Sequence, residues 1–396
     1  MTQNELLEKL TSQTGAEAWK VFTLGEEELR TGRTRQEKLG PVTVELYRKA
    51  EDAEDIRRVS VLWAGDSIDL LPTKGLSVGA YAHQGWKPFW EPVRVGIISP
   101  EKDDLLGDVL VHGETTRSLR WLENFAGCIE LLGLSNWGMP YDDPSEGVVL
   151  PLHGEASHIP LSELTVAVAE PHVVVTGSFE VNLRWWADPD KSKPWYRRGN
   201  KAWKVTRRLL IDTQSGELQG VDEIENVGVE PMVPDWGYHF QFRAAPGAEL
   251  RIPSERVKSR FSDTVEEEYR IWRPAENPKA REERGYIHKG LALEKGPLGG
   301  EVVRGEAVYP DGERTLFTIP AAAFTLSWFS AGGKGSLEFA LPESPEESLI
   351  PVPWDGMGPE IGVSPLDHDG DVDPAVAHPP LAPGEQVTLY FRIARG

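Results

Sequence analysis

The chain is poor in cysteine, in positive charge and in long apolar runs, and each shortage excludes something. Cys128 is the sole cysteine among 396 residues. An internal disulfide framework and a cysteine-based zinc site are therefore out, and a reducing compartment fits. Lys and Arg number 42 against 63 Asp and Glu, giving a net charge of −21 and a pI near 4.9. Such a balance argues against nucleic acid and anionic membranes as partners and points to an uncharged or weakly polar ligand. No apolar run reaches membrane-spanning length, and MTQNELLEKLTSQTG at the start has no basic segment followed by an apolar one, so a cytoplasmic protein is expected. Also missing are a G-x-S-x-G elbow, a Walker sequence and a glycine-rich dinucleotide fingerprint. A glycosidase using two carboxylates stays open, because an acidic chain offers many pairs.

What the chain does have is β-type patterning with short breaks. A short amphipathic helix is expected at Asn4 to Leu10, and residues 1–40 read as that helix and a lead-in. From Pro41 onward strands dominate: Pro41 to Tyr47, Val59 to Trp63 and Ser67 to Leu71, the last two joined by a hairpin signal at Ala64-Gly65-Asp66. Trp121 to Glu130 suits a helical turn or a strand, and GWKPFWEPV (Gly85 to Val93) suits a loop folded over something. Further strands are expected at Leu164 to Val168, His172 to Phe179, Val181 to Trp186, Trp203 to Asp212 and Leu218 to Glu225, with Ala187 to Asn200 a polar insertion. Six more fall between Tyr286 and Ile393. No repeat or linker divides the chain, so residues 41–396 read as one all-β domain, a large antiparallel sandwich with few short helices. The length suffices for a sizeable core, and the fourteen tryptophans suit either a core or stacking on sugar rings.

One stretch stands out, Asp222 to Phe242. In its last part Trp236, Tyr238, Phe240 and Phe242 alternate with Gly237, His239, Gln241 and Arg243, so one strand face is aromatic and the other polar. Glu225-Asn226-Val227-Gly228 reads as a turn, and Pro231 and Pro234 stiffen the approach. On pattern alone a half-exposed strand with a solvated histidine is the simpler reading. A second histidine, His153, lies in Leu-His-Gly, where the glycine permits a sharp turn or close approach of a ligand.

The order of these pieces resembles the aldose 1-epimerase (galactose mutarotase) superfamily, with its HG motif followed by N-x-G and H-x-x-F. The pieces LPTKGL, GLSNWG, LHGEASHIP, YHFQF and LAPGE are similar to a less characterised aldose-epimerase-like branch (DUF4432-like), over about Ser67 to Val387. The resemblance implies a β-supersandwich of the galactose mutarotase type, a small-molecule carbohydrate as ligand, and no cofactor or metal. It implies His239 as general acid at the sugar ring oxygen and His153 as a hydrogen-bonding partner; a histidine suits the acid role because its ordinary pKa lies near neutrality. The base would be a glutamate in a G-x-E-P stretch, aligned here with Ile361-Gly-Val-Ser-Pro365, which puts Ser364 at its place and leaves Glu360 and Asp367 as the nearest carboxylates. Lys74, Asn136, Gln241, Tyr286, His288 and Trp137 occupy stretches that suggest contacts to hydroxyls, with Trp86 and Trp90 as further stacking candidates. Three functions follow from this: an epimerase, a non-catalytic sugar binder, or an isomerase or lyase on the same frame. The aspartates of Asp367 to Asp373 alternate as a hard-cation loop does, but their spacing departs from an EF-hand and reads as an acidic surface loop.

Overall fold

Where the sequence alternates, the chain is extended. Val42–Tyr47 buries Val42, Val44 and Leu46 and leaves the residues between them half-exposed. The Arg58–Trp63 and Asp66–Leu71 strands pair through the two-residue turn Ala64-Gly65, both with positive φ (47° and 91°). That is the mirror-image turn whose twist matches a hairpin. The structure, a computed structural model, describes residues 5, 7, 20–90, 97–99, 109–111, 114–116, 121, 125, 127–143, 148–182, 202–276, 281–332, 337–340, 349–350, 356–362, 372 and 375–396.

Among these residues two large antiparallel sheets share one core. One has twelve strands and runs, edge to edge, Ser254–Ser259, Arg281–Leu291, Phe324–Gly332, Gly356–Gly362, Asp235–Phe240, Ile129–Leu134, Ser77–Ala82, Asp66–Leu71, Arg58–Trp63, Val42–Tyr47 and Arg35–Leu39, with Phe242–Arg243 added beside Gly356–Gly362. The other has ten, with Lys20–Gly25 at one edge, then Glu163–Ala169, His172–Asn182, Ala202–Asp212, Leu218–Asn226, Gln386–Arg395, Arg314–Pro320, Glu301–Val308 and Glu249–Arg251, and Leu293–Lys295 beside Glu301–Val308. The fold is thus the all-β sandwich that the patterning implies. His172 to Phe179 and Val181 to Trp186, expected as two strands, form one continuous strand as far as Asn182. Sequence alternation missed Lys20–Gly25 and Arg35–Leu39, which give each sheet an edge from within the lead-in, and the short helix Glu26–Thr31 between them. Glu5 and Leu7 are helical, and Leu7 packs with Val174, Leu210, Val221, Val302 and Tyr390 outside the main core.

The aromatic face of Asp235–Phe240 is the spine of that core. Trp236, Tyr238, Phe240 and Phe242 are fully buried, and their rings run in sequence with centroids 6.1, 5.8 and 6.3 Å apart. Phe391 of the second sheet meets Tyr238 at 5.5 Å and Phe240 at 5.6 Å. Beneath them lies a buried polar group. Tyr238 donates its hydroxyl to Asp222 at 2.5 Å, and Arg207, with no exposed surface, sits 3.5 Å from the other Asp222 oxygen and 5.4 Å from the centre of the Phe391 ring. Burial pushes the Asp222 carboxyl up, with Arg207 and the Tyr238 hydroxyl opposing it. Removing one member strands the others in an apolar core. Tyr238→Phe is therefore expected to lower stability by ~1–3 kcal/mol in urea unfolding without changing the circular dichroism of the folded protein.

Candidate functional site

Pairing lays six residues abreast across six strands of the larger sheet: Lys258, Ile287, Leu326, Glu360, His239 and Glu130. Directly opposed residues share a face, so the row lies on the side of the sheet away from the aromatic spine. His239 is 3% exposed and Glu360 also 3%. The two meet with His239 Nε2 3.8 Å from one Glu360 oxygen, while the other Glu360 oxygen lies 3.8 Å from His153 Nδ1. One buried carboxylate thus stands between two imidazoles whose ring centres are 6.1 Å apart.

His153 reaches this place from a turn. His153 and Gly154 both adopt left-handed backbone (φ 55° and 68°). A side chain on Gly154 would run into the carbonyls of Asn136 and Gly133, so glycine is required there by contact as well as by φ. The turn is pinned by the His153 amide donating to Gly138 at 2.8 Å and the Gly133 amide donating to His153 at 2.9 Å. In the side chain, Nδ1 is 2.6 Å from the Trp137 carbonyl. A carbonyl only accepts, so Nδ1 carries the proton and Nε2 presents its lone pair.

Rings enclose both histidines. Trp121 stands edge-on to His153 at 4.6 Å, and Phe125 and Trp328 flank His239 at 5.0 and 4.7 Å. Burial is the main reason that His153 falls to about 4; the Trp137 carbonyl opposes the fall and the Arg260 charge adds to it. His239 is held well below its ordinary value by burial first, then by His153 and Arg260. Both rings are therefore neutral at pH 7. This changes the expectation for His239: its ordinary pKa does not survive burial.

Lys74 and Glu130, 56 positions apart in sequence, form a buried pair at 3.5 Å at the end of the row. Lys74 also donates to the Ser157 carbonyl at 3.2 Å, and Glu130 accepts from Ser77 Oγ and the Gly127 amide. Ser157 Oγ in turn accepts from the Trp121 indole at 2.8 Å. Lys74 thus braces the floor and rings of the site. Asn136 gives its amide to the carbonyls of Gly138, Met139 and Pro151, tying the strand end to the His153 turn. The Gln241 amide, oriented by its neighbours, donates to the carbonyls of His239 and Cys128 at 2.6 and 2.8 Å. Trp137 supplies its carbonyl to His153 and packs its ring on Phe324 at 4.5 Å. These residues position the site.

Tyr286 and His288 are not brought to it. Ile287 shares the row with Glu360, so its two neighbours face the other way. His288 is held there between Ser254 and Ser327, each 2.9 Å from a ring nitrogen. Trp86 and Trp90 are core residues, Trp86 edge-on to Tyr81 at 5.9 Å and Trp90 donating to the Gly127 carbonyl. Asp367 and Ser364 lie outside the described residues, as does Asp367 to Asp373 apart from Val372. Among the described residues no group of three or more His, Cys, Asp or Glu could hold a metal ion, and no helix is long and apolar enough to cross a membrane.

Glu360 is the carboxylate that the fold brings to both histidines. It stands in Gly358-Pro359-Glu360, itself a G-x-E stretch lying four residues before Ser364. Ile361 follows it, where the resemblance implies a proline. Sequence reasoning also missed Trp121, Phe125, Trp328 and Arg260; nothing in their local spacing marks them.

A family model described as "Domain of unknown function (DUF4432)" matches residues 54–303. A search of curated proteins finds no sequence match. Among solved structures, a Klebsiella pneumoniae protein designated a candidate aldose 1-epimerase is similar at 17% identity and a TM-score of 0.70, over 96% of this chain and 91% of that one. A galactose mutarotase-like protein from Clostridium acetobutylicum is similar at 10% identity and a TM-score of 0.51, over 89% and 98%. These likenesses establish the sandwich of the mutarotase type as the fold.

The buried histidines predict a pH dependence of stability. As pH falls from 6.5 toward 4 the unfolded chain takes up a proton that native His153 refuses, so its contribution to stability is lost on acidification. Glu155, pushed up to about 7 by burial, acts in the opposite sense between 4.5 and 7, so the difference between two proteins is the useful reading. His153→Asn is expected to make the loss of stability between pH 6.5 and 4 shallower by ~1.4 kcal/mol per pH unit, measured by urea unfolding across that range.

Proposed function

The chain belongs to the DUF4432 family, and from that premise we propose that it is an aldose 1-epimerase-like enzyme that binds a carbohydrate and interconverts its anomers by acid–base chemistry. The observation that carries this reading is Glu360, buried at 3.8 Å from both His239 and His153. Mutarotation needs a proton removed from the anomeric hydroxyl and a proton delivered to the ring oxygen as the C1–O5 bond breaks. The product is the open-chain aldehyde; rotation about C1–C2 and the reverse transfers close the ring with the other configuration.

In this scheme Glu360 takes the proton of the anomeric hydroxyl and protonated His239 gives one to the ring oxygen. Burial makes the His239 imidazolium scarce and correspondingly strong as an acid. The nearby Glu360 carboxylate offsets part of the cost of forming it. His153, with its Nδ1 proton committed to the Trp137 carbonyl, offers Nε2 as an acceptor for a sugar hydroxyl and so orients the ring. A carboxylate in this position removes the main reason for preferring a sugar binder without chemistry. We place the protein in the cytoplasm on the sequence reading alone.

Anomer exchange followed by NMR on a panel of aldoses tests the reading. Wild-type protein is expected to speed the exchange of at least one sugar. Glu360→Gln and His239→Ala are each expected to lower that rate by about 10²–10⁴-fold, and Asp367→Asn to lower it far less. A sugar that raises the melting temperature without exchanging faster than in buffer would make this a binding protein instead.

A further inference from the structure

The two histidines of the site are fixed by different means. His153 is tied by its Nδ1 to the Trp137 carbonyl at 2.6 Å. His239 has no such tie. The Phe240 backbone is near enough to favour its charged form, but among the described residues nothing meets Nδ1 in hydrogen-bonding geometry. On the other side of the ring the Glu360 oxygen stands 3.8 Å from Nε2, where it attracts the imidazole without directing it. What orients the His239 ring is therefore packing, and that packing is aromatic.

Five rings stand in one chain, His153, Trp121, Phe125, His239 and Trp328, with successive centroids 4.6, 4.7, 5.0 and 4.7 Å apart. Contacts of this kind fix a ring only as well as its neighbours are fixed. At one end Trp121 donates its indole N–H to Ser157 Oγ at 2.8 Å. Toward the other end Trp328 donates its indole N–H to Glu283 at 3.0 Å. Both lateral neighbours of Trp328 in the sheet are glycines, Gly285 and Gly358, so neither presents a side chain to the indole. Gly358 is confined to glycine by the Phe240 carbonyl, which a Cβ there would strike. Leu326 and Phe261 fill the space over Gly285, and they bound the ring without offering a hydrogen bond. The angle of the indole is thus set by one directional contact, the carboxylate of Glu283. That residue lies two positions before Gly285 on the same strand, hence on the same face, and reaches the indole diagonally.

We propose that Glu283 is a positioning residue for the acid of the site: by anchoring the Trp328 indole it holds the His239 ring at the angle from which it serves the sugar. Glu283 acts through Trp328 and touches neither the sugar nor His239. A carboxylate suits the task, because a hydrogen bond to a charged acceptor is shorter and stronger than one to a neutral acceptor. The proposal rests on the epimerase reading and adds to it a residue outside the reacting pair. Misplacing a reacting group by about 1 Å costs on the order of 10²-fold in rate, so even a small turn of the imidazole is measurable.

The test follows anomer exchange by NMR in wild type, Glu283→Ala, Glu283→Gln, Trp328→Phe and the double variant Glu283→Ala with Trp328→Phe. Glu283→Ala is expected to lower kcat about tenfold or more while KM stays within about twofold. Glu283→Gln keeps an oxygen that accepts from the indole and is expected to recover most of the loss. Trp328→Phe keeps a ring but has no N–H to anchor, so adding Glu283→Ala to it is expected to cost less than about twofold more. An equal loss with and without the indole N–H, or Glu283→Gln as slow as Glu283→Ala, would overturn the proposal and leave the epimerase reading intact. A second readout needs no sugar. In protein carrying 13C-labelled histidine, the ring signal that vanishes in His239→Ala is expected to shift or broaden in Glu283→Ala and to stay in place in Glu283→Gln. If no sugar exchanges, the epimerase reading fails, and this signal alone decides whether Glu283 holds the ring: an unmoved His239 signal in Glu283→Ala overturns the proposal.

Discussion

The two-residue period of one strand governs the rest. Because Trp236, Tyr238 and Phe240 are committed to the core, the residue between the last two must point the other way, and that residue is His239. The strand is interior to its sheet, paired on one side with Ile129–Leu134 and on the other with Gly356–Gly362. A slip of one residue would exchange the faces and drive an imidazole into the aromatic spine. The position of His239 is thus set by the packing of the aromatic spine, and it is as rigid as that packing.

Electrostatics follow from that placement. A site built on the face of a large sheet and roofed by Trp121, Phe125 and Trp328 has little water with which to stabilise charge, and both histidines yield by losing theirs. Polar groups deeper in the protein are treated differently. Lys74 with Glu130 and Arg207 with Asp222 are buried as acid–base neighbours at 3.5 Å each, so that neither member stands alone within the core. The candidate site instead sets two neutral imidazoles beside one buried carboxyl group.

The strands were legible where side-chain type alternates: Val42–Tyr47 does so because one face is buried, and Asp235–Phe240, though buried on both faces, still alternates aromatic with polar or small residues. Ile129–Leu134 was obscured because all six of its residues are buried, which erases the period. His153 and His239 could be found from ordered motifs. Lys74 could be noticed, but its partner Glu130 could not, since nothing local relates two positions so far apart. Glu360 was legible only as a neighbour of an expected position, because Ile361 follows it where the resemblance implies a proline. Tyr286 and His288 show the opposite fault: a motif resemblance proposed them, and the strand period, set by Ile287 in the row, faces them away.

The order in which the strands arrive has a consequence for assembly. The Gly356–Gly362 strand fills an interior place in one sheet, between Phe324–Gly332 and Asp235–Phe240, and Gln386–Arg395 fills one in the other, between Leu218–Asn226 and Arg314–Pro320. Both sheets are therefore closed through the middle by late parts of the chain. During synthesis the earlier strands must wait with open hydrogen-bonding edges, His239 among them, until those segments emerge. Glu360 is carried by one of the closing strands. The event that covers the last exposed edge beside His239 is thus the same one that brings it its carboxylate, and a chain caught halfway has neither a finished sheet nor a competent site.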